Sequence, residues 1–332
     1  MKAICYENTQ TNVKNLRGDW HIEQKYGYAY ETPTHYVHFY GKEPYYIISV
    51  GLMITERKQS GITLNDWVIN NFGATNIQSM TMEVGHTIDS VWRPSLYFWD
   101  DICTALNVDT SEQISQEQSI RLLVKQLDDL LFYIEPSKSG LQSYSHKTRE
   151  LLISACTEVE NQWKSLLTRA KYTSRNTYFS TRDYIKLLPK LYLQDFSITL
   201  RNSTYTQKIT PFQFWNSTQP TQSLDWYNAY NATKHDRYNN FSEAKLIHVI
   251  NAVSANIVIY SARFSPISII NNSNLLSPMF NQVFMITLEN SDRKNFYLPL
   301  IDTTKILTDE IIVHDAYGEQ LNSQWTVDPL TL

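Results

Sequence analysis

Between residues 115 and 134 the apolar side chains Ile120, Leu123, Val124, Leu127, Leu131 and Ile134 recur at the spacing of one helix face. The period is different on either side of this run. Residues 35–40 and 45–50 are dense in β-branched and aromatic residues, with Gly41-Lys-Glu-Pro44 between them, which reads as strand, turn and strand. A short helix is expected over 63–72, with Trp67 and Val68 inward. The helical period resumes over 147–172, where Leu152, Ala155, Val159, Trp163, Leu166 and Ala170 fall on one stripe. Residues 181–193 follow as a shorter helix bent at Pro189, 199–220 as a polar loop, and 223–235 as another short helix. Asn240-Phe-Ser-Glu243 matches a capping box. The helix it opens runs to about Ala262, with Leu246, Ile250, Val253, Ile257 and Tyr260 as its buried stripe. Beyond Pro266, residues 283–288, 295–300 and 311–314 read as strands again. The expected class is α+β: a β-rich N-terminal domain (1–110), a helical domain (111–265) of four to five helices, and a β-rich C-terminal segment (266–332).

With 42% hydrophobic and 19% charged residues, the chain of 332 suits a folded globule rather than a disordered one. Cys5, Cys103 and Cys156 are far apart and form no CxxC pair, so neither a zinc knuckle nor a disulfide framework is indicated, and no metal or cofactor is expected. The first residues, Met-Lys-Ala-Ile-Cys-Tyr-Glu-Asn, hold no apolar run of the signal-peptide kind. The apolar stretches, such as 255–260, fall short of the ~20 residues a spanning helix needs. A cytoplasmic protein without a membrane partner is expected.

The net charge is only -4, but it is unevenly spread. Residues 83–135 hold ten acids against three bases, and 161–210 hold nine bases against two acids. Such blocks pair within a fold or between subunits, or the basic one faces a polyanion. Arg182, Lys186 and Lys190 are its candidate phosphate contacts.

The segment Trp226-Tyr-Asn-Ala-Tyr-Asn-Ala-Thr-Lys-His-Asp-Arg237 carries the most chemistry. On a helix from Ser223, Asn228, Asn231 and His235 share one face, and Tyr227, Tyr230 and Lys234 form the neighbouring stripe. Arg237 follows in the turn before the capping box. Amides, an imidazole and two cations thus gather near a helix N-terminus, which favours anions. Histidine suits proton transfer near neutral pH, and an adjacent cation stabilises a developing phosphorane. The candidate catalytic residues are His235, Arg237 and Lys234, and the candidate RNA contacts are Asn228, Asn231, Tyr227 and Tyr230. The alternative is a polar helix junction in which His235 and the asparagines satisfy buried backbone groups.

This segment, followed by Asn-Phe-Ser-Glu-Ala and a long apolar helix, resembles the HEPN-like superfamily, closest to bacterial members with a Tyr-Asn-x-x-Lys-His-x-Arg signature. Leu151-Leu-Ile-Ser-Ala-Cys-Thr-Glu158-Val-Glu160 fits the family's earlier core helix, and the resemblance covers about residues 115–265. It implies a helical bundle acting on RNA in a bacterial defence or toxin–antitoxin system, dimeric, with a metal-independent ribonuclease site at the dimer interface. It also admits inactive relatives that serve as interaction or sensing modules for a protein partner. The family's motif is an arginine, then four to six intervening residues, then the histidine. For His235 the arginine's positions are occupied by Asn228, Ala229 and Tyr230, so any site here is an altered one.

Two other constellations are weaker. Glu56-Arg-Lys58, with Asp19 upstream, has the form of an acid-x-lysine nuclease element. His35 and His38 are three apart on a strand and so point to opposite faces, which disfavours a shared metal.

Overall fold

The computed structural model describes residues 1–10, 25–41, 48–57, 61–96, 99–201, 203–271, 274–289, 291–306, 310–313 and 323–332. Asp19, Lys58, residues 42–47 and His314 lie outside the described residues. The chain is mixed α+β and divides into two compact units. One comprises Met1–Asp89, Arg93–Asn107 and Asn290–Asp328, and the other Ser90–Trp92, Val108–Glu289 and Pro329–Leu332.

The first unit begins with β1 (Ala3–Glu7), β2 (Tyr26–Glu31), β3 (His35–Gly41), β4 (Ile48–Glu56), α1 (Leu64–Phe72), β5 (Thr75–Ser79), β6 (His86–Ile88) and α2 (Trp99–Ala105). Antiparallel pairing sets the order β4-β3-β2-β1-β5. The two-residue period of the strands sends Tyr28, Tyr30, Val37, Phe39, Leu52 and Ile54 into one core. Ala29, Tyr36 and Met53 go to the other face, where α1 lays Leu64, Trp67, Val68 and Phe72. The α1 helix starts at a Thr63–Asp66 capping box and stops at Gly73, whose φ of 59° is the left-handed region that favours glycine. His38 is buried on the α1 side, stacked on Phe72 at 4.0 Å and hydrogen-bonded to the Tyr6 hydroxyl. His35, three residues earlier, points to the opposite face and bonds the Thr34 hydroxyl at 2.8 Å.

The second unit holds α3 (Thr110–Leu131), α4 (His146–Arg169), α5 (Thr181–Tyr184), α6 (Leu187–Lys190), β7 (Phe196–Leu200), α7 (Asp225–His235), α8 (Arg237–Asn240), α9 (Leu246–Phe264), α10 (Ile267–Ile270), α11 (Ser277–Val283) and β8 (Phe284–Leu288). The α9 helix packs against α3, α4 and α7. It is buried on nearly every side rather than along one stripe, as befits a helix that is apolar all round. Among the described residues it is the one helix long and apolar enough to cross a membrane, but 83% of its apolar window is buried inside the protein. Polar bonds along α9 fix its partners. Asn256 donates to the Ala155 carbonyl at 2.9 Å, Tyr260 donates to Glu117 at 2.5 Å, and Arg263 pairs with Glu112 at 3.0 Å.

The chain then returns to the first unit with β9 (Leu300–Ile301), β10 (Glu310–Val313), β11 (Ser323–Gln324) and β12 (Thr326–Asp328). β10 joins the sheet beside β4, β11 pairs β9, and β12 runs parallel to β6.

Four expectations are corrected. The three consecutive segments (1–110, 111–265, 266–332) are instead two units, because β8 pairs with β7 in the helical unit while β10 pairs with β4. β7 also claims the start of the stretch expected to be a loop. The strand expected over 295–300 shrinks to β9, and Pro299 within it has no N–H to give a ladder. Asn240-Phe-Ser-Glu243 does not cap α9. Its residues form the end of α8 and a 3₁₀ turn, and the Lys245–Leu246 backbone pairs with Tyr144 and Ser143 where α9 starts.

Candidate functional site

The Trp226–Arg237 segment is split between core and surface. Trp226 is buried and donates its indole N–H to the Pro211 carbonyl at 3.0 Å. It joins a cluster centred on Trp163, whose ring lies 5.0 Å from Trp215, 5.0 Å from Tyr184 and 5.6 Å from Tyr227. The Tyr227 hydroxyl donates to Glu160 of α4 at 2.7 Å, and Glu160 also faces Lys164 at 3.6 Å. Burial, with the Glu160 charge beside it, pushes the Tyr227 phenol well above its ordinary pKa. Lys234 donates to the Tyr230 hydroxyl at 2.7 Å. That bond holds its pKa up against partial desolvation, with Glu160 adding to the effect.

Three contacts set the register of α7 on α4: Tyr227 to Glu160, the Thr233 carbonyl to Arg149, and Arg237 to His146. Rising numbers on one side meet falling numbers on the other, so the helices are antiparallel. Arg149 reaches the Thr233 carbonyl through Nη2 at 3.0 Å and Nε at 3.4 Å. A cation there complements the negative end of the α7 dipole. Asp236 then caps α8 by accepting from Asn239, and these bonds hold its carboxyl below the usual carboxylate range.

Arg237 Nη2 lies 3.2 Å from His146 Nδ1, at the N-terminus of the 24-residue α4. A guanidinium only donates, so Nδ1 accepts and a neutral His146 carries its proton on Nε2. Phe241 packs beneath both, with its ring 4.9 Å from His146 and 6.0 Å from the Arg237 guanidinium. Tyr144 meets Phe241 edge-on at 5.8 Å, and Tyr238 nearby is 94% exposed. Among the described residues, Arg149, Lys234 and Arg237 form no salt bridge, whereas Lys147 and Lys245 are paired with Glu150 and Glu243. The result is an exposed cationic and aromatic end of the α4–α7 seam.

Lys234, His235 and Arg237 are not buried, so they do not form a buried polar junction. Asn228 is exposed and Asn231 half-buried. Tyr227 and Tyr230 were expected as RNA contacts but are buried and committed to Glu160 and Lys234. Arg182, Lys186 and Lys190 lie on or beside α5 and α6, where Lys186 stands 5.3 Å over the Tyr172 ring. From the charge blocks, Glu112 takes Arg263 and Lys208 takes Glu289, partners outside both blocks. The helix N-terminus at the cluster is that of α4, not that of α9. His146 and Arg149 escaped sequence reasoning. Their signal was an arginine in the first turn of a helix, where the dipole disfavours it.

The chain matches no protein-family model, no curated protein and no solved structure. Among the described residues, no group of three or more His, Cys, Asp or Glu is placed to hold a metal ion.

Proposed function

We propose that the helical unit is a HEPN-like, RNA-directed module of a bacterial defence or toxin–antitoxin system with an altered ribonuclease site. The observation that carries this is the meeting of Arg237 and His146 at the end of α7 that bears His235, with no described carboxylate paired to Arg149 or Arg237. Cations without a carboxylate, next to exposed rings, suit single-stranded RNA, which is held by its phosphates and by stacking. Arg237 meets His146 through space, and Arg149 reaches the Thr233 carbonyl two residues before His235; in this proposal they stand in for the arginine that the chain lacks at 228–230.

In this proposal Arg237 and Lys234 hold the scissile phosphate. His235 takes the proton of the 2′-hydroxyl and, as the imidazolium so formed, returns it to the departing 5′-oxygen, while neutral His146 donates a hydrogen bond from its Nε2–H to the phosphate. Two copies pair through the helical unit, which leaves Phe132 and Tyr133 exposed at the end of α3. The test is a labelled single-stranded RNA incubated with the protein and excess chelator. Cleavage that is lost in His235→Ala supports the site; an RNA left bound but intact reduces the proposal to RNA binding alone.

A second proposal, a non-catalytic module for a protein partner, is favoured by one observation. Trp226, Tyr227 and Tyr230, the aromatic part of the signature, are spent on packing. It predicts no RNA affinity at any salt concentration.

A further inference from the structure

At the end of the α4–α7 seam away from Arg237 lies a cleft of about 740 Å³ that the RNA proposal does not use. That size is in the range of small-molecule sites. Glu160 and Lys164, one turn apart on α4, line it together with Tyr227 and Tyr184, and the segment from Tyr172 to Ser180 closes it. The closing segment is tied down. The Asp183 carboxylate accepts from the Ser180 amide at 2.9 Å, the Tyr172 hydroxyl at 3.1 Å and the Ser174 hydroxyl at 3.2 Å. Tyr172 and Phe179 stand 6.3 Å apart on this wall, and Tyr178 projects from it, 82% exposed.

Flat aromatic rims favour a flat aromatic guest, and the Glu160–Lys164 pair narrows the choice. A carboxylate only accepts and an ammonium only donates. Guanine offers two adjacent donors, N1–H and N2–H₂, beside the O6 acceptor. Adenine and cytosine offer a carboxylate one amino group, and uracil a single ring N–H between two acceptors. Glu160 gives one oxygen to Tyr227 and keeps accepting capacity on both. Lys186 over the Tyr172 ring, with exposed Arg182 close by on α5, supplies cations for a phosphate at the rim.

Building on the RNA interface proposed above, we propose that this cleft holds an unpaired guanine base of the bound RNA, with Glu160 and Lys164 reading its Watson–Crick edge. Eight residues of α7 separate Tyr227 from His235, a rise of about 12 Å. The recognised base therefore sits a few nucleotides from the phosphate held at Arg237.

The experiment is a tryptophan-fluorescence titration of the full chain with guanosine, adenosine, cytidine and uridine 5′-monophosphates. Trp163 and Trp226 stand next to Tyr227 and report occupancy. Guanosine monophosphate should bind tightest, and Glu160→Gln should cut that preference on the order of ten- to a hundredfold. Tyr178→Ala, which removes an exposed side chain and leaves the fold intact, should weaken all four nucleotides. Equal affinity for the four, or a Tyr178→Ala variant indistinguishable from the parent, overturns the proposal. The two proposals fail separately. Salt-dependent RNA binding without guanosine monophosphate binding removes the cleft assignment. Guanosine monophosphate binding that survives Arg237→Ala, without RNA binding, removes the interface and leaves the cleft.

Discussion

Arg237 and His146 are 91 residues apart in the chain, yet a guanidinium nitrogen of one lies 3.2 Å from a ring nitrogen of the other. The contact joins the first residue of α8 to the first residue of α4. It places a histidine that sequence reasoning passed over against Arg237, one of the two cations that it selected.

The two histidines should act as a pair. Removing a general acid or base, or a hydrogen-bond donor to the developing charge, typically costs on the order of 10²–10⁴ in rate. His235→Ala and His146→Ala are each expected to reduce RNA cleavage by that factor, and the double variant by little more than the worse single one. Thermal melting should barely move, because neither side chain is buried. Gel-resolved cleavage rates in chelator check this. Strictly multiplicative losses would show that the two do not share one step.

The aromatic half of the signature should behave as core. Trp163→Ala empties the centre of the ring cluster and is expected to cost about 3–5 kcal/mol of stability. Tyr227→Phe loses one hydrogen bond to a carboxylate, at about 1.5–3 kcal/mol. Urea unfolding measures both. A Tyr227→Phe protein as stable as the parent would mean that the Glu160 bond contributes nothing.

His248, at the start of α9, supplies a pH dependence. Burial lowers its pKa, Lys245 lowers it further, and Asp225 and Glu243 oppose them. With the folded value below the unfolded one, the unfolded chain binds the proton first as pH falls. The His248 contribution is therefore fully present above about pH 6.5 and is lost as pH drops from there toward the folded value. Melting temperatures across about pH 5 to 8 should fall on the acid side. His248→Gln should flatten that limb; an unchanged limb assigns it to other groups.

The change of hydrophobic period located α3, α4, α7 and α9 from local pattern alone, and Trp67 and Val68 were legible as the inner face of α1. Pairings across long stretches of chain were not. β10 reaches β4 and β8 reaches β7 through backbone bonds that leave no mark on side-chain periodicity. The capping box misled because Lys245 and Leu246 found better backbone partners in Tyr144 and Ser143. At the site, Lys234, His235 and Arg237 were legible as a run, while Arg149 and His146 arrive from α4 through space.

The most direct test of the RNA proposal is the affinity for single-stranded RNA as a function of salt, for the parent, Lys234→Ala and Arg237→Ala. Binding should weaken linearly in log–log form, and each variant should show a slope shallower by about 0.7, the share of a single phosphate. Binding whose salt slope is the same in all three proteins, or no binding at all, would contradict the assignment of this end of the helical unit to RNA.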